Sequence, residues 1–233
     1  MKKNILEILA IFIVGTVGGI FADQILWPYF IEQPLFSEYR LEQRPVYVTE
    51  RKEITIQENV ALREAIEKVE GVIVGVRAGA LNGSGLVITS DGLIVSLANL
   101  GILDSDFQCF VEGKEVSWQI LKKDLKNNLA LIKVNKTNLK TSGFADLEKI
   151  KLGERVFLAG VIFEKGVPKK VVNEGIIKSF DENSIETNIF EENQVSGAPL
   201  FNIEGEVLGL AIIDKAGKVS AIPVSKIKEF AGF

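Results

Sequence analysis

The side chains available for catalysis are few in this sequence of 233 residues. It contains no histidine and one cysteine, Cys109. Histidine is the commonest general base near neutral pH and a frequent metal ligand, so its absence excludes Ser-His-Asp and Cys-His mechanisms. A single thiol forms no intrachain disulfide and no cysteine-rich metal cluster. Cys109 lies in an apolar strand-like run, which is typical of a small buried hydrophobic residue.

Metal, nucleotide and nucleic-acid chemistry also lack support. The acidic residues are scattered without the spacing of a calcium loop, so we expect no metal site. Gly83-Ser84-Gly85 lacks the later glycine of a phosphate loop and opens a strand, so we expect no cofactor. The net charge is −4, from 27 basic and 31 acidic residues, which makes nucleic acid an improbable partner. The 47% hydrophobic and 25% charged residues are typical of a folded protein.

The N-terminal segment favours a membrane anchor. An apolar run over 8–22 follows Lys2 and Lys3, and apolar character resumes after Asp23 as far as residue 31, so the segment reaches the ~20 residues that span a bilayer. The two lysines place the N-terminus in the cytoplasm. We therefore expect residues 1–31 to be a single-pass anchor in the cell membrane, with the globular domain extracytoplasmic. A cleaved signal peptide competes, although Ile20 suits its cleavage site poorly, and a buried helix is the third alternative.

The rest of the chain is patterned as an all-β protein. Residues 32–57 carry prolines and many charges, which indicates an extended linker. A short helix that Asn59 can cap follows and ends at Gly71. After it come twelve short strand-like runs separated by turn signals, one of them over 116–121. The polar stretch 135–151 divides them into two halves of six runs each. This pattern predicts a β-sandwich or a pair of barrels and argues against a parallel α/β sheet.

Several segments also match one known family, in the family's own order. They are GSGLVITSDG over 83–92, LALIK over 129–133, LGERVFLAG over 152–160, GIIKS over 175–179, SGAPLFN over 196–202 with GEVLG over 205–209, and AIP over 221–223. On these segments, residues 59–224 resemble the trypsin-like serine proteases of the HtrA/Deg type.

The resemblance implies two six-stranded chymotrypsin-like β-barrels with the site in the cleft between them. Barrel 1 would cover about 72–134 and barrel 2 about 152–225, within a domain over 58–233. Family members commonly carry a PDZ domain after the protease and form trimers. We expect no PDZ domain here, and a homo-oligomer is an expectation from the resemblance alone.

The same resemblance assigns the site residues and shows where they depart from the family. Ser196 stands at the nucleophile position, Asn99 at the position of the catalytic histidine and Asn128 at that of the catalytic aspartate. The backbone N–H groups of Gln194 and Ser196 occupy the oxyanion-hole positions. Phe190 falls at the floor of the primary specificity pocket, where it either lines an apolar substrate pocket or fills a dead one.

These departures oppose hydrolysis. A serine hydroxyl needs a neighbouring base to take its proton, and an asparagine amide is not basic near pH 7. Gln194 replaces a glycine that is free to adopt a positive φ, so we expect a partly collapsed oxyanion hole. Asn99 and Asn128 could instead hydrogen-bond to each other. The favoured function is an inactive membrane-anchored pseudoprotease that binds peptides, unfolded segments or partner proteins.

Two alternatives remain open. One is an active serine endopeptidase of extracytoplasmic quality control, which uses Ser196 with a lysine or with a base from a partner chain. The other is a structural module that only positions the linker and the anchor.

Overall fold

A computed structural model describes residues 2–27, 60–102 and 106–233. The expected linker over 32–57, residues 28–31 of the expected anchor and the expected helix cap Asn59 lie outside the described residues. The chain divides into two units, Met1–Ile56 and Gln57–Phe233.

In the first unit, one helix covers the described residues. Helix α1 spans Lys2–Phe21 and continues through a π-helical segment, Ala22–Leu26, so Asp23 does not interrupt it. The stretch Glu7–Leu26 has 20 residues and a mean hydropathy of 1.9, which is long and apolar enough to cross a membrane. A signal sequence has the same properties. None of that stretch is buried, unlike a core helix of a soluble protein.

The second unit begins with helix α2 over residues 60–69, which is followed by a seven-stranded antiparallel sheet. The strand order is β5-β4-β1-β2-β3-β7-β6. The strands are β1 Ile73–Ala78, β2 Leu81–Val87, β3 Leu93–Leu97, β4 Gln108–Val111, β5 Lys114–Val116, β6 Trp118–Asp124 and β7 Leu129–Val134.

The six strands that follow form a closed barrel in the order β10-β13-β12-β11-β8-β9. A short 3₁₀ turn, Asn193–Val195, precedes the fourth of these strands, and helix α3, Val224–Ala231, follows the last. The strands are β8 Arg155–Glu164, β9 Val167–Phe180, β10 Ile185–Phe190, β11 Pro199–Asn202, β12 Val207–Ile213 and β13 Lys218–Pro223.

The predicted all-β, chymotrypsin-like architecture is confirmed, with one difference in the first barrel. The run predicted as a single strand over 116–121 is two strands, because the ladder breaks at Ser117 and leaves β5 and β6 at opposite edges of the sheet. Side chains connect this gap. The indole Nε1 of Trp118 donates to the carbonyl of Phe107 at 3.1 Å, and the two rings meet edge to face. The first barrel is therefore a half-barrel of seven strands.

The two barrels share apolar core. Phe157 and Phe201 belong to the second barrel, yet both are fully buried in the hydrophobic cluster of the first, where their rings stack with centroids 5.2 Å apart. Alternate residues of β8 therefore point into their own barrel and against the neighbouring one, as expected for a strand with a period of two. This packing places the loop before β11 at the junction of the barrels.

Candidate functional site

Two asparagines meet at one side of this junction. Asn99 follows the end of β3, and Asn128 closes the turn that leads into β7. The backbone N–H of Asn99 donates to Oδ1 of Asn128 at 2.9 Å, and the N–H of Ala98 donates to the carbonyl of Asn128 at 3.0 Å. The residues predicted at the histidine and aspartate positions are thus joined through a side-chain oxygen and a backbone donor.

The backbone conformation of Asn128 suits its residue type. Its φ is +55°, in the left-handed region that asparagine tolerates better than most residues. Asp124 stabilises the same turn, because its Oδ1 accepts the N–H groups of Lys126 and Asn127 at 2.9 and 3.0 Å. Hydrogen bonds from Asn127 hold the pKa of Asp124 below its ordinary value. The turn that presents Asn128 is therefore fixed by an ionised carboxylate.

Ser196 lies in a loop that both barrels hold. The residue is 5% exposed, and the preceding Val195 is buried in the core of the second barrel. The carbonyl of Ser196 accepts the N–H of Ser84, from β2 of the first barrel, at 2.8 Å. Gly197 has a φ of +81°, and its N–H donates to the carbonyl of Ala211 at 2.8 Å. The position of Ser196 is thus set by backbone bonds on both sides.

Ser84 connects the barrels through its side chain as well. Its Oγ accepts the N–H of Val161, in β8, at 2.8 Å, and Oγ of Ser96 donates to its carbonyl at 2.7 Å. A Cβ added at Gly160 would lie 3.1 Å from the same Oγ, so no space remains at this contact. Sequence reasoning placed Ser84 only within a hairpin motif and did not assign it this role.

Leu100 brings the Asn99 turn next to the Ser196 loop. A Cβ added at Gly197 would lie 3.3 Å from Cδ1 of Leu100 and against the carbonyl of Ser84. A Cβ at Gly83 would likewise lie 2.7 Å from the carbonyl of Ser196. Glycine is needed at both positions, because two segments of the backbone approach each other too closely there to leave room for a side chain.

The segment that carries the expected oxyanion hole has a helical backbone. Gln194 is the middle residue of the 3₁₀ turn Asn193–Val195, in which the N–H of Val195 donates to the carbonyl of Glu192 at 3.3 Å. Within the described residues, positive φ angles occur at several glycines and at a few other positions, and Gln194 is not among them. The segment thus accommodates a residue with a side chain without left-handed strain.

Phe190 lies beside an open groove. The side chain is 64% exposed, so it does not fill a buried pocket, and that alternative is wrong. Residues 190–192 form one wall of the groove, and residues 213–217 form the other. The volume is about 730 Å³. The N–H of Glu191 donates to the carbonyl of Gly217 at 2.8 Å and joins the two walls.

Other reactive groups are few in the described part of the chain. Residues 2–27, 60–102 and 106–233 contain no group of three or more His, Cys, Asp or Glu side chains that could hold a metal ion. Cys109 is fully buried in the first barrel, and that burial raises the pKa of its thiol to about 12. This thiol is therefore not ionised near neutral pH.

Comparison with known proteins identifies the family of this domain. Residues 71–210 match the model of the trypsin-like peptidase domain. A probable periplasmic serine endoprotease, DegP-like, from Halomonas elongata is 31% identical over 139 residues, which are 55% of this chain and 28% of that protein. Serine protease HTRA1 of Xenopus laevis is 30% identical over 168 residues, 65% of this chain and 36% of that protein.

A solved structure supports the fold. The crystal structure of the serine endoprotease from Yersinia pestis superposes with a TM-score of 0.65 at 20% identity, covering 73% of this chain and 65% of that one. The matched segment covers 28% of the Halomonas protein and 36% of the Xenopus protein, so this chain spans about a third of the length of these relatives. The family model spans more than half of the sequence, and the chain belongs to the trypsin-like peptidase domain family.

Proposed function

We propose that this protein is a trypsin-like domain that binds extended peptide segments without cleaving them. The observation that carries the proposal is the pair formed by Asn99 and Asn128, joined at 2.9 Å, at the positions where the family resemblance expects an acid–base pair. An amide oxygen accepts the backbone N–H as a carboxylate would, so the local structure is kept. The amide has no charge to stabilise an imidazolium, and the chain has no imidazole.

The loss of the general base should lower the rate of turnover by a large factor. In a protease of this kind, removal of the base costs on the order of 10⁶ in kcat. A residual acceleration of about 10³–10⁴ over water then depends on substrate binding and the oxyanion hole. The 3₁₀ conformation at Gln194 supports a further reduction of that residual rate.

Peptide binding needs less than catalysis does. It requires the open groove beside residues 190–192 and a strand edge that can accept a peptide backbone. The groove is open, and the seven-stranded sheet of the first barrel ends in two edge strands, β5 and β6, whereas the strands of the second barrel form a closed ring. We assign this role to the domain over 58–233, with barrel 1 at about 72–134 and barrel 2 at about 152–225.

The placement that we propose is extracytoplasmic, with the N-terminal helix as a membrane anchor. The length and hydropathy of Glu7–Leu26 support it, as does the periplasmic description of the Halomonas relative. Mass spectrometry of the membrane-bound protein tests the proposal. An intact N-terminus supports the anchor, and a chain that starts after residue 22 or so indicates a cleaved signal peptide.

A trimer, implied only by the resemblance, is tested by sedimentation in detergent.

The second candidate function is an active serine endopeptidase. The Halomonas relative is described as a serine endoprotease and the Xenopus relative as a serine protease, and this chain has Ser196 at the position where the resemblance expects the nucleophile. Labelling with a fluorophosphonate, together with an unfolded-casein cleavage assay, separates the two functions. We expect neither labelling nor cleavage. Labelling and turnover that disappear in the Ser196→Ala variant would establish the endopeptidase and overturn the proposal.

A further inference from the structure

We infer that the hairpin of β8 and β9 carries a separate binding site for an extended peptide that has an apolar and an acidic side chain two residues apart. The inference goes beyond the proposed function, because the residues involved do not line the groove beside Phe190. It depends on three features of the hairpin: an unpaired strand edge, a cavity beside that edge, and an excess of positive charge near the turn.

The strand edge is the first feature. Each residue over 167–176 in β9 pairs with β8, whereas β10 pairs with β9 only over 177–180. The hairpin therefore extends beyond the ring of the second barrel. Among the strands that the structure describes, none pairs with the outer edge of β9 over 167–175. An unpaired edge of this kind can accept an added strand.

The backbone groups of this edge point outward. The N–H of Ile176 donates to Oδ1 of Asn188, in β10, at 2.7 Å, so the even-numbered residues of β9 direct their N–H groups away from β8. Because this direction repeats every two residues, the N–H and C=O groups of Lys170 and Val172 face the same way. Pro168 has the same orientation, and its missing N–H breaks no pairing there. An added strand therefore meets two donors and their neighbouring acceptors.

A cavity of about 220 Å³ beside this edge is the second feature. Pro168 and Lys170 of β9 line it, together with Val161 of β8 and residues of the first barrel that include Ile73 and Phe110. Ile73 and Val161 are buried, and Phe110 is half-buried. A dry cavity of ~150 Å³ admits a benzene ring, so this space accommodates a leucine or a phenylalanine side chain.

The charged residues that line the cavity are already paired. Nζ of Lys170 lies 3.4 Å from Oε2 of Glu70, and Nζ of Lys136 donates to Oε2 of Glu112. These internal pairs leave no net charge for a ligand side chain to neutralise. A charged ligand group would lose its hydration without gaining a partner, so an apolar side chain complements the cavity.

Positive charge near the turn is the third feature. Lys165 and Lys169 stand against one carboxylate of the hairpin end, that of Glu164, which is paired with Lys169 at 2.9 Å. Arg77 of β1 adds a guanidinium group, which lies over the ring of Phe163 at 6.0 Å from its centre. Arg77 and Lys165 therefore give this end of the hairpin an excess of positive charge, which complements an acidic ligand side chain.

The register of the hairpin sets the spacing within the ligand. Phe163, which carries the guanidinium of Arg77, is paired with Pro168, and Val161 is paired with Lys170. The cation and the cavity therefore lie about two positions apart on one face of the hairpin. Side chains two residues apart in an extended peptide also share a face and are roughly 7 Å apart. A ligand with its apolar residue in the cavity thus places an acidic residue beside Arg77.

Fluorescence anisotropy with labelled heptapeptides tests the inference on the full chain in detergent micelles. The peptide Ala-Asp-Ala-Leu-Ala-Asp-Ala has an aspartate on each side of the leucine, so it fits either strand direction. We expect it to bind about tenfold more tightly than the same peptide with serine in place of leucine. The peptide with lysine in place of both aspartates should bind most weakly, because it meets the excess positive charge.

Methylation of the peptide backbone distinguishes strand addition from a contact of side chains alone. In an added strand, only alternate N–H groups face the neighbouring strand. One peptide is therefore methylated at the N–H groups of the leucine and both aspartates, and the other at those of the alanines between them. We expect one peptide to lose about tenfold in affinity and the other to keep it. Equal effects of the two methylations would overturn the strand addition.

Variants locate the site on the hairpin. Val172→Pro removes an outward N–H at a position equivalent to that of Pro168 and should weaken binding of the aspartate–leucine peptide about tenfold. Val172→Thr keeps this N–H and is the matched control, which should bind as the wild type does. Arg77→Gln should weaken binding about threefold and reduce its salt dependence. Its control is Lys178→Gln, at an exposed position of β9 within the barrel, which should change nothing.

The outcomes separate this site from the groove beside Phe190. If the aspartate–leucine peptide binds but neither Val172→Pro nor Arg77→Gln weakens its binding, the inference is overturned and the peptide-binding function stands. If the peptide does not bind, the inference is also overturned, and the fluorophosphonate experiment still tests the proposed function. A loss in Val172→Pro that is absent in Val172→Thr supports the site.

Discussion

Oδ1 of Asn128 accepts the backbone N–H of Asn99 at 2.9 Å, which joins the two positions that we expect to correspond to the aspartate and the histidine of a protease. The connection does not need a charge. It needs only an acceptor on the turn before β7, directed at the turn after β3. An asparagine at this position keeps the acceptor oxygen and carries no charge.

Introducing histidine at position 99 and aspartate at position 128 is therefore a direct test of this assignment. We expect the variant Asn99→His/Asn128→Asp to gain little hydrolysis of an activated peptide ester, because residue 194 still lies in a 3₁₀ turn. Adding Gln194→Gly should raise kcat about 10²-fold, which is the effect of one oxyanion-hole donor. The same triple variant with Ser196→Ala is the control and should be inactive. Equal activity of the double and triple variants would show that the Gln194 backbone does not limit catalysis.

Removing the side chain of Asn128 should destabilise the fold. Asn128→Ala removes the hydrogen bond to Asn99. It also places alanine at a φ of +55°, which alanine tolerates less well than asparagine does. The matched control is Asn138→Ala, because Asn138 also has a positive φ, of +59°, and takes no part in the bond to Asn99. We expect Asn128→Ala to cost about 1 kcal/mol more than the control in the free energy of unfolding, measured by urea denaturation. Equal losses would mean that the bond contributes no stability.

Much of the fold could be predicted from the sequence because its signals are local. Alternating apolar residues and glycine-containing turns predict all six strands of the second barrel. The break at Ser117 was missed, because it depends on how β5 and β6 separate in space. The exposure of Phe190 was not predictable either, since the same residue type fits a core. The bond of Ser84 to Val161 joins residues 77 positions apart, so no local pattern indicates it.

Ser84 should be important for the junction of the barrels. Ser84→Ala leaves the buried N–H of Val161, bound at 2.8 Å, without its side-chain acceptor. An unsatisfied buried donor costs about 1–3 kcal/mol, so we expect a loss of stability in that range. Ser179→Ala, at an exposed position in β9, is the control and should change the free energy of unfolding by less than about 0.5 kcal/mol. A loss at Ser84 no larger than that of the control would contradict the proposed role.

The turn before Asn128 should respond to acid through Asp124. Hydrogen bonds from Asn127 and Lys126 lower the pKa of this carboxyl from its ordinary value of 3.8, so the folded state binds the proton more weakly than the unfolded state does. The stabilisation is therefore present above pH 3.8 and is lost as the pH falls through the folded pKa. Asp124→Asn keeps an acceptor oxygen and removes the charge. We expect the variant to melt below the wild type at pH 7 and the difference in Tm to shrink towards pH 3, as followed by circular dichroism. A difference that stays constant over this range would show that the charge of Asp124 does not stabilise the turn.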